Sequence, residues 1–304
     1  MKIVVAGGTG FVGKPLVLRL LDEGYKVVVL SRNPNAFKSH PSSELMVEWW
    51  DGRNSGAWMH HIDGAYAVVN LAGEGVADKR WSEHRKRELS DSRILSTRML
   101  VSAIQQAQKR PEVFLNASAV GYYGNVPSGE VPESSPKGKG FLADLCADWE
   151  KAALTAADLG CRVVILRIGI VLEKGGGALA KMVPPFMMYA GGPLGTGRQY
   201  FPWVHRKDVL GAAVYALKNP SVSGVFNMTA PGVCTMADFS RALGRILGRP
   251  SWAPVPGFML QILMGEMAGM LTGGQKAVPQ RLSGAGYPFQ FETAEQALAD
   301  IFKK

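Results

Sequence analysis

Cysteine and histidine are sparse and scattered in this sequence. The three cysteines, Cys146, Cys161 and Cys234, form no CxxC pair, and neither they nor the five histidines show metal-site spacing. This pattern favours reduced thiols in a cytoplasmic compartment. We therefore expect a cytoplasmic protein without a metal centre.

Long apolar runs and dense basic blocks are missing as well. The longest apolar candidate, residues 258–271, is interrupted by Glu266, and the N-terminal apolar run is one strand long and ends in glycines. We expect neither a membrane span nor a signal peptide. The net charge of +9 is not concentrated in a Lys/Arg block, so it favours a small anionic ligand over nucleic acid. A homodimer is one arrangement that the sequence allows.

The composition is that of a folded enzyme-like chain. Of the 304 residues, 47% are hydrophobic and 19% are charged. This balance excludes a disordered chain and allows one large domain, or one domain with a smaller lobe.

The first 32 residues follow the order strand, glycine turn, helix, strand. Residues 2–6 and 26–30 are short apolar runs rich in β-branched side chains, and Gly7, Gly10 and Gly13 stand between the first run and a helical segment. The first glycine permits a sharp turn, the second lets a pyrophosphate approach, and the third lets the helix lie close to the sheet. The other predicted cofactor contacts of this turn are Thr9, Phe11 and Val12.

The residues that follow the second strand indicate which dinucleotide binds. An NAD site usually carries Asp or Glu there, whereas this chain has Ser31 and Arg32. A guanidinium can hold a 2′-phosphate through parallel charge-assisted hydrogen bonds, and the serine hydroxyl can add another. We therefore predict NADP(H) as the cofactor, and a solvated surface arginine is the alternative interpretation.

Strands and helices alternate as far as residue 172. Further strands are predicted at 45–50, 65–71, 113–118 and 162–168, with helices at 82–108 and 141–157. This alternation predicts an α/β Rossmann fold, a doubly wound parallel sheet with helices on both faces. We expect an NADP-binding domain over 1–172, completed by about 205–228. Residues 173–204 and 229–304 would form a smaller C-terminal substrate lobe.

Other cofactor contacts are predicted from positions after strands and on the long helix. The candidates are Asp51, Leu71, Ala72, Gly73, Glu88, Arg93 and Val171. The loop at 71–73 would cover the ribose and pyrophosphate, and Arg93 would reach the phosphates with Glu88 orienting it. Val171 would line the nicotinamide pocket, and Asp51 would contact the adenine amino group. A plain surface salt pair is the alternative for the arginine and the glutamate.

The order of motifs resembles the extended short-chain dehydrogenase/reductases, in their nucleotide-sugar epimerase and dehydratase branch. The matching pieces are the glycine turn, 70–73, Ser118 before 122–124, 166–169, 200–209 and 224–227. The sequence is also similar to an atypical subgroup, epimerase-family proteins with a C-terminal domain of unknown function. The stretches that it shares with this subgroup are 70–74, 78–81, 184–186, 191–199 and 273–281.

The resemblance implies chemistry by a serine, a tyrosine and a lysine, of which the last two are missing here. Leu142 and Cys146 stand at the tyrosine and lysine positions. A tyrosine phenolate would exchange a proton with substrate while nicotinamide exchanges hydride, and neither replacement can do this. The candidate substitutes for the acid/base are Tyr122 or Tyr123 beside Ser118, or His205. The Cys146 thiol is a weaker candidate, because a small buried thiol is usually a core residue.

A glycine-rich segment at 191–197 would line the substrate side. Lys181, Arg198, Gln199 and Trp203 would join it and bind an anionic ligand such as a phosphorylated or nucleotide-linked sugar. Two functions follow. One is an NADP-dependent oxidoreductase or epimerase acting on a nucleotide sugar or small carbonyl. The other, which the missing dyad favours, is a non-catalytic NADP(H) sensor or partner-binding protein. Some bacterial members of the subgroup carry a cell-division label.

Overall fold

The computed structural model describes residues 1–37 and 40–303. The strands are β1 (Lys2–Ala6), β2 (Lys26–Ser31), β3 (Leu45–Trp49), β4 (Ala67–Asn70), β5 (Val113–Ala119), β6 (Glu130–Val131), β7 (Arg162–Ile168), β8 (Ile170–Leu172), β9 (Tyr200–Phe201), β10 (Trp203–His205), β11 (Gly224–Met228), β12 (Cys234–Thr235) and β13 (Lys276–Ala277). The helices are α1 (Gly13–Asp22), α2 (Glu83–Gln106), α3 (Phe141–Leu154), α4 (Gly177–Met187), α5 (Arg206–Lys218), α6 (Met236–Leu247), α7 (Gly257–Met264), α8 (Gly269–Thr272), α9 (Gln280–Gly284) and α10 (Ala294–Ile301).

Seven strands form one sheet in the order β3-β2-β1-β4-β5-β7-β11, and every neighbouring pair is parallel. The central strands are continuous apolar runs because helices cover both faces of the sheet. On one face of the sheet, Ile3 and Val5 pack with Leu16 of α1. On the other face, Val4 packs with Leu100 of α2. The chain therefore has the predicted doubly wound Rossmann fold.

The predicted long helix and the two short strands β9 and β10 show how local chemistry sets element boundaries. Ser82 caps α2, because its hydroxyl accepts a hydrogen bond from the Arg85 N–H at 3.1 Å. Pro202, which has no N–H to donate, separates β9 from β10. Its carbonyl instead accepts from the Ile170 N–H at 2.7 Å. β9 and β10 consequently pair with different partners, β12 and β8.

The C-terminal part of the chain builds a second core and packs against the Rossmann sheet. Phe186 of α4, Trp203 of β10, Phe239 of α6 and Leu298 of α10 belong to this core. β13 pairs with β6, which fastens the C-terminal segment to the loop after β5. In the described ranges, no helix combines the length and apolar character needed to cross a membrane.

Candidate cofactor site

The glycine turn between β1 and α1 is packed tightly at two positions and open at the third. Gly7 has a φ of +75°, and a Cβ there would lie 2.6 Å from the Leu71 carbonyl carbon. A Cβ on Gly13 would overlap the Gly7 carbonyl oxygen, whereas at Gly10 the nearest atom would be that same oxygen at 3.3 Å. Among the described residues, no side chain caps α1. Its Lys14 N–H donates to the Gly10 carbonyl at 2.9 Å and Pro15 has no N–H, so α1 offers a ligand mainly the positive end of its dipole.

Residues from three separate segments meet around this turn. The Phe11 ring packs against the Cα atoms of Gly176 and Gly177, and the Arg206 guanidinium lies 5.2 Å from its centroid. The partly buried side chains of Val12, Leu71 and Val171 all pack against the same core, and Thr9 is exposed beside them. The structure therefore brings the predicted contacts of the turn, the β4 loop and β8 to one edge of the sheet.

Arg32 and Ser31 lie just beyond β2 as the sequence predicts, but both have protein partners. The Arg32 guanidinium is 74% exposed, and its Nη1 donates to the Glu74 carboxylate at 3.1 Å. The Ser31 hydroxyl accepts from the Asn33 N–H at 3.0 Å. The guanidinium remains accessible to a phosphate, and Glu74 is a partner that the sequence reasoning did not identify.

Arg93 lies beside the β4 loop and is held by carbonyl groups. Its Nη2 donates to the Glu74 carbonyl at 2.8 Å and its Nη1 to the Leu89 carbonyl at 3.1 Å. A Cβ on Gly73 would lie 3.0 Å from its Cζ, so the guanidinium packs directly under the loop. Burial lowers the Arg93 pKa from its usual range. Ala72 is fixed next to it, because its N–H donates to the Asn70 side chain at 3.1 Å.

Two predicted cofactor contacts have other roles in the structure. Glu88 does not orient Arg93, because its carboxylate accepts from Arg85 at 2.9 Å. The Asp51 carboxylate accepts from the backbone N–H groups of Arg53 and Asn54 at 2.8 and 2.9 Å. These hydrogen bonds lower the Asp51 pKa. The aspartate thus organises the turn after β3, and both of its carboxylate oxygens accept hydrogen bonds within that turn.

Ser118 belongs to a buried ionic network. Its hydroxyl donates to the Glu150 carboxylate at 2.6 Å, and the same carboxylate forms a bidentate pair with Arg167 at 2.8 Å for both bonds. Arg167 also donates to the Tyr123 hydroxyl at 2.8 Å, which donates onward to the Asn227 side chain at 2.7 Å. Burial raises the Tyr123 pKa above its usual range. Ser118 and Tyr123 therefore hold β5, β7 and β11 together.

Tyr122 lines a groove along α3, whereas the two dyad positions face Gly121. The Arg167 guanidinium carbon is 3.5 Å from the centroid of the Tyr122 ring. The ring lines an open groove of about 420 Å³ along α3, with Ala147, Lys151 and Leu154. Leu142 and Cys146 instead face Gly121, where a Cβ would lie 3.3 Å from the Leu142 Cβ and 3.9 Å from the Cys146 Sγ. Burial raises the Cys146 pKa to about 11, so the dyad positions carry no ready proton donor.

His205 and Trp203 are fully buried, contrary to the roles that the sequence predicts. The His205 Nδ1 accepts from the Lys207 N–H at 3.0 Å and caps α5, while its ring stacks on Phe291. Trp203 belongs to the second core, and its indole N–H donates to the Gly232 carbonyl at 3.1 Å. Both side chains are 0% exposed, so neither reaches an open site.

The other predicted substrate residues lie on the glycine-rich segment and on α4. The Gln199 amide donates to the carbonyls of Leu194 and Leu271 at 2.8 and 2.7 Å, so it fixes the segment to α8. Lys181 donates to the Ala77 carbonyl at 2.6 Å, which links α4 to the β4 loop. Arg198 is exposed. Over the described residues, no group of three or more His, Cys, Asp or Glu side chains is arranged for a metal ion.

Comparison with known proteins assigns the chain to a family. Residues 3–228 match the model of the NAD dependent epimerase/dehydratase family, and residues 255–301 match a domain of unknown function, DUF1731. The chain is 42% identical to the Arabidopsis thaliana protein "Epimerase family protein SDR39U1 homolog, chloroplastic" over 308 residues, covering 100% of this chain and 87% of that protein. It is 37% identical to the Homo sapiens protein "Epimerase family protein SDR39U1", with 99% of each chain covered.

Solved structures show the same relationship. The crystal structure of the human SDR39U1 protein with NADPH superimposes with a TM-score of 0.89 at 35% identity, covering 100% of both chains. A nucleoside-diphosphate sugar epimerase from Corynebacterium glutamicum has a TM-score of 0.79 at 26% identity, covering 99% of this chain and 58% of that one. The chain belongs to the NAD-dependent epimerase/dehydratase family and carries this family's fold together with a C-terminal DUF1731 segment.

Proposed function

We propose that this chain binds NADP(H) at the carboxyl edge of its parallel sheet. The glycine turn supports this, because Gly10 is open where Gly7 and Gly13 are packed against backbone. The N-terminus of α1 has no side-chain cap, so the positive end of its dipole is available to a pyrophosphate. Arg32 supplies an exposed guanidinium for a 2′-phosphate. The human relative whose structure was solved with NADPH supports the same cofactor.

We further propose that the bound dinucleotide is sensed or used without the family's tyrosine–lysine proton transfer. The main support is that the polar groups near the dyad positions are already hydrogen-bonded to other protein groups. Ser118 donates to Glu150, and the two dyad positions hold Leu142 and a thiol with a raised pKa. The dyad positions hold no cation, and the Tyr123 hydroxyl beside Arg167 is buried and donates to Asn227. A non-catalytic role as a sensor or partner-binding protein therefore fits this site best.

The second candidate is an oxidoreductase or epimerase that acts on a nucleotide sugar or small carbonyl. Its support is the relationship to the Corynebacterium nucleoside-diphosphate sugar epimerase and the cations around the glycine-rich segment. Arg198 is exposed, and Lys181 lies on the neighbouring helix. These side chains would hold an anionic substrate. The free thiols of all three cysteines support the cytoplasmic location that we propose for either function.

A turnover screen separates the two candidates. Purified protein is incubated with NADPH or NADP⁺ and a panel of nucleotide sugars and small carbonyls, while the absorbance of reduced nicotinamide and the sugar composition are followed. The sensor hypothesis predicts saturable NADPH binding with no turnover across the panel. Turnover that is lost in Tyr122→Phe would overturn it and establish the enzyme, with Tyr200→Phe as the control for a tyrosine outside the α3 groove.

A further inference from the structure

Glu74 lies in the loop after β4, and its backbone is fixed on both sides. Its N–H donates to the Ser92 hydroxyl at 3.1 Å, and its carbonyl accepts from Arg93 Nη2 at 2.8 Å. Arg93 is partly buried and also donates to the Leu89 carbonyl at 3.1 Å, so it anchors this loop. Because the backbone is held, rotation of the side chain is the movement left to the Glu74 carboxylate.

The carboxylate stands between two guanidinium groups of opposite exposure. Its Oε1 accepts from Arg32 Nη1 at 3.1 Å, and its Oε2 lies 3.8 Å from Arg85 Nη1. The Arg32 side chain is 74% exposed, whereas that of Arg85 is 7% exposed. Within the described residues, the buried Arg85 Nε has no hydrogen-bond partner. Arg85 thus retains hydrogen-bonding capacity, and its Nη1 already lies 3.8 Å from the Glu74 carboxylate.

We propose that Glu74 is a specificity-determining residue that competes with the cofactor 2′-phosphate for Arg32. The inference rests on the proposed binding of NADP(H). When the 2′-phosphate pairs with Arg32, the Glu74 carboxylate leaves that guanidinium and moves towards Arg85. The carboxylate therefore opposes binding of the phosphorylated cofactor and has little effect on NAD(H), which carries a hydroxyl at the same position.

The size of the effect follows from charge and exposure. A phosphate monoester carries nearly two negative charges at neutral pH. The Arg32 side chain is 74% exposed and that of Glu74 is 31% exposed. Screening by solvent limits the strength of the interaction to that of an ordinary surface ion pair. Removing the Glu74 charge is therefore expected to tighten NADPH binding by about 3- to 10-fold.

Calorimetric titration of the full chain with NADPH and with NADH tests this proposal. In Glu74→Gln, the NADPH dissociation constant is expected to fall by about 3- to 10-fold, while that of NADH changes by less than about 2-fold. Glu44→Gln is the matched control, because this glutamate pairs with Lys26 at 3.2 Å, at the amino end of β2. It removes the same charge far from Arg32 and should leave both constants unchanged.

The outcomes separate the inference from the proposed function. Wild-type protein that does not bind NADPH would refute the proposed function and this inference with it. Wild-type protein that binds NADPH, with Glu74→Gln unchanged, weaker or improved equally for both cofactors, would overturn the inference alone. If Glu74→Gln does not fold, Glu74→Asp keeps the charge but withdraws it from Arg32, and a smaller gain for NADPH alone is expected.

Discussion

His205 is a buried histidine whose stability contribution depends on pH. Burial lowers its pKa to about 4, against the partial opposition of Asp300 at 3.3 Å. In the unfolded chain the same side chain takes a proton near its ordinary pKa of about 6.5. The neutral ring therefore stabilises the fold fully above that pH. This contribution, on the order of 3 kcal/mol, is lost as the pH falls from about 6.5 towards 4.

Urea unfolding of wild type and His205→Asn across this pH range measures the effect. Asparagine keeps a side-chain oxygen that can accept from the Lys207 N–H and cap α5, but it does not titrate. Wild type is expected to lose more free energy of unfolding than the variant between pH 6.5 and 4.5. Parallel pH dependences for the two proteins would contradict the buried, neutral state of the ring.

The partners of individual charged residues were the least predictable feature of the site. The sequence marks Ser118 and Arg167 as motif residues, yet their joint pairing with Glu150 depends on how α3 packs across β5 and β7. Glu74 comes from another segment than Arg32, 42 positions along the chain. Such pairings are set by tertiary distances, and a single sequence contains no direct record of them. A carboxylate in the shared stretch 70–74 was the available signal.

At the scale of elements, the strand–turn–helix unit was predictable because each glycine has a local reason. A Cβ on Gly10 meets only the Gly7 carbonyl oxygen at 3.3 Å, whereas a Cβ on Gly13 overlaps backbone. Gly10→Ala is therefore expected to change the free energy of unfolding by less than about 1 kcal/mol while abolishing NADPH binding. Gly13→Ala is expected to destabilise the protein by roughly 1–3 kcal/mol.

Thermal unfolding followed by circular dichroism, together with NADPH titration, checks both substitutions. The pair serves as its own control, since each adds one methyl group to the same turn. A Gly10→Ala protein that folds normally and still binds NADPH with wild-type affinity would show that the pyrophosphate does not lie over this glycine.

Element boundaries followed the sequence where a local signal marks them. The Ser82 cap fixes the start of α2, and the Thr235 hydroxyl caps α6 by accepting from the Asp238 N–H at 3.2 Å. The burial of Trp203 and His205 was not predictable in this way, because the core around Trp203 is assembled from residues between Leu172 and Ile301, and His205 stacks on the distant Phe291. Their covering elements pack by long-range contact rather than by a local pattern.

At the scale of the whole molecule, one short segment fastens the C-terminal part to the sheet. Arg281 donates from its guanidinium to the carbonyls of Val225 and Ser223 at 2.6 and 2.8 Å. Its N–H donates to the buried Glu133 carboxylate, which also accepts from the Asn227 N–H at 3.0 Å. We expect Arg281→Ala to lower the free energy of unfolding by about 1–3 kcal/mol, because two charged hydrogen bonds are lost.

Chemical denaturation followed by near- and far-ultraviolet circular dichroism tests this connection between the C-terminal part and the sheet. The two probes should report one shared transition in wild type and a shifted, still shared transition in the variant. Arg241→Ala is the control, since this exposed arginine pairs with Asp238 on its own helix, and its loss should cost less than about 0.5 kcal/mol. A variant transition that splits in two would contradict a cooperative union of the two cores.

The doubly wound architecture was predictable from the alternation of apolar runs and helical segments. The arrangement of the C-terminal part was not, because its second core is assembled from helices and short strands spread between Leu172 and Ile301. The candidate cofactor site combines a locally encoded feature with contacts between distant segments. Its glycine turn is local, whereas the Arg32–Glu74 pair and the Phe11 packing against Gly176 depend on the complete fold.

Binding of NADPH compared with NADH, in wild type and in Arg32→Ala, is the most direct measurement of the central claim. Titration calorimetry should show saturable NADPH binding to wild type. The arginine substitution should weaken NADPH binding by about 1–3 kcal/mol, the range for a hydrogen bond to a charged group, and leave NADH nearly unchanged. Absence of heat and saturation with NADPH at millimolar concentration, or equal losses for the two cofactors, would contradict the assignment of this edge of the sheet as an NADP(H) site.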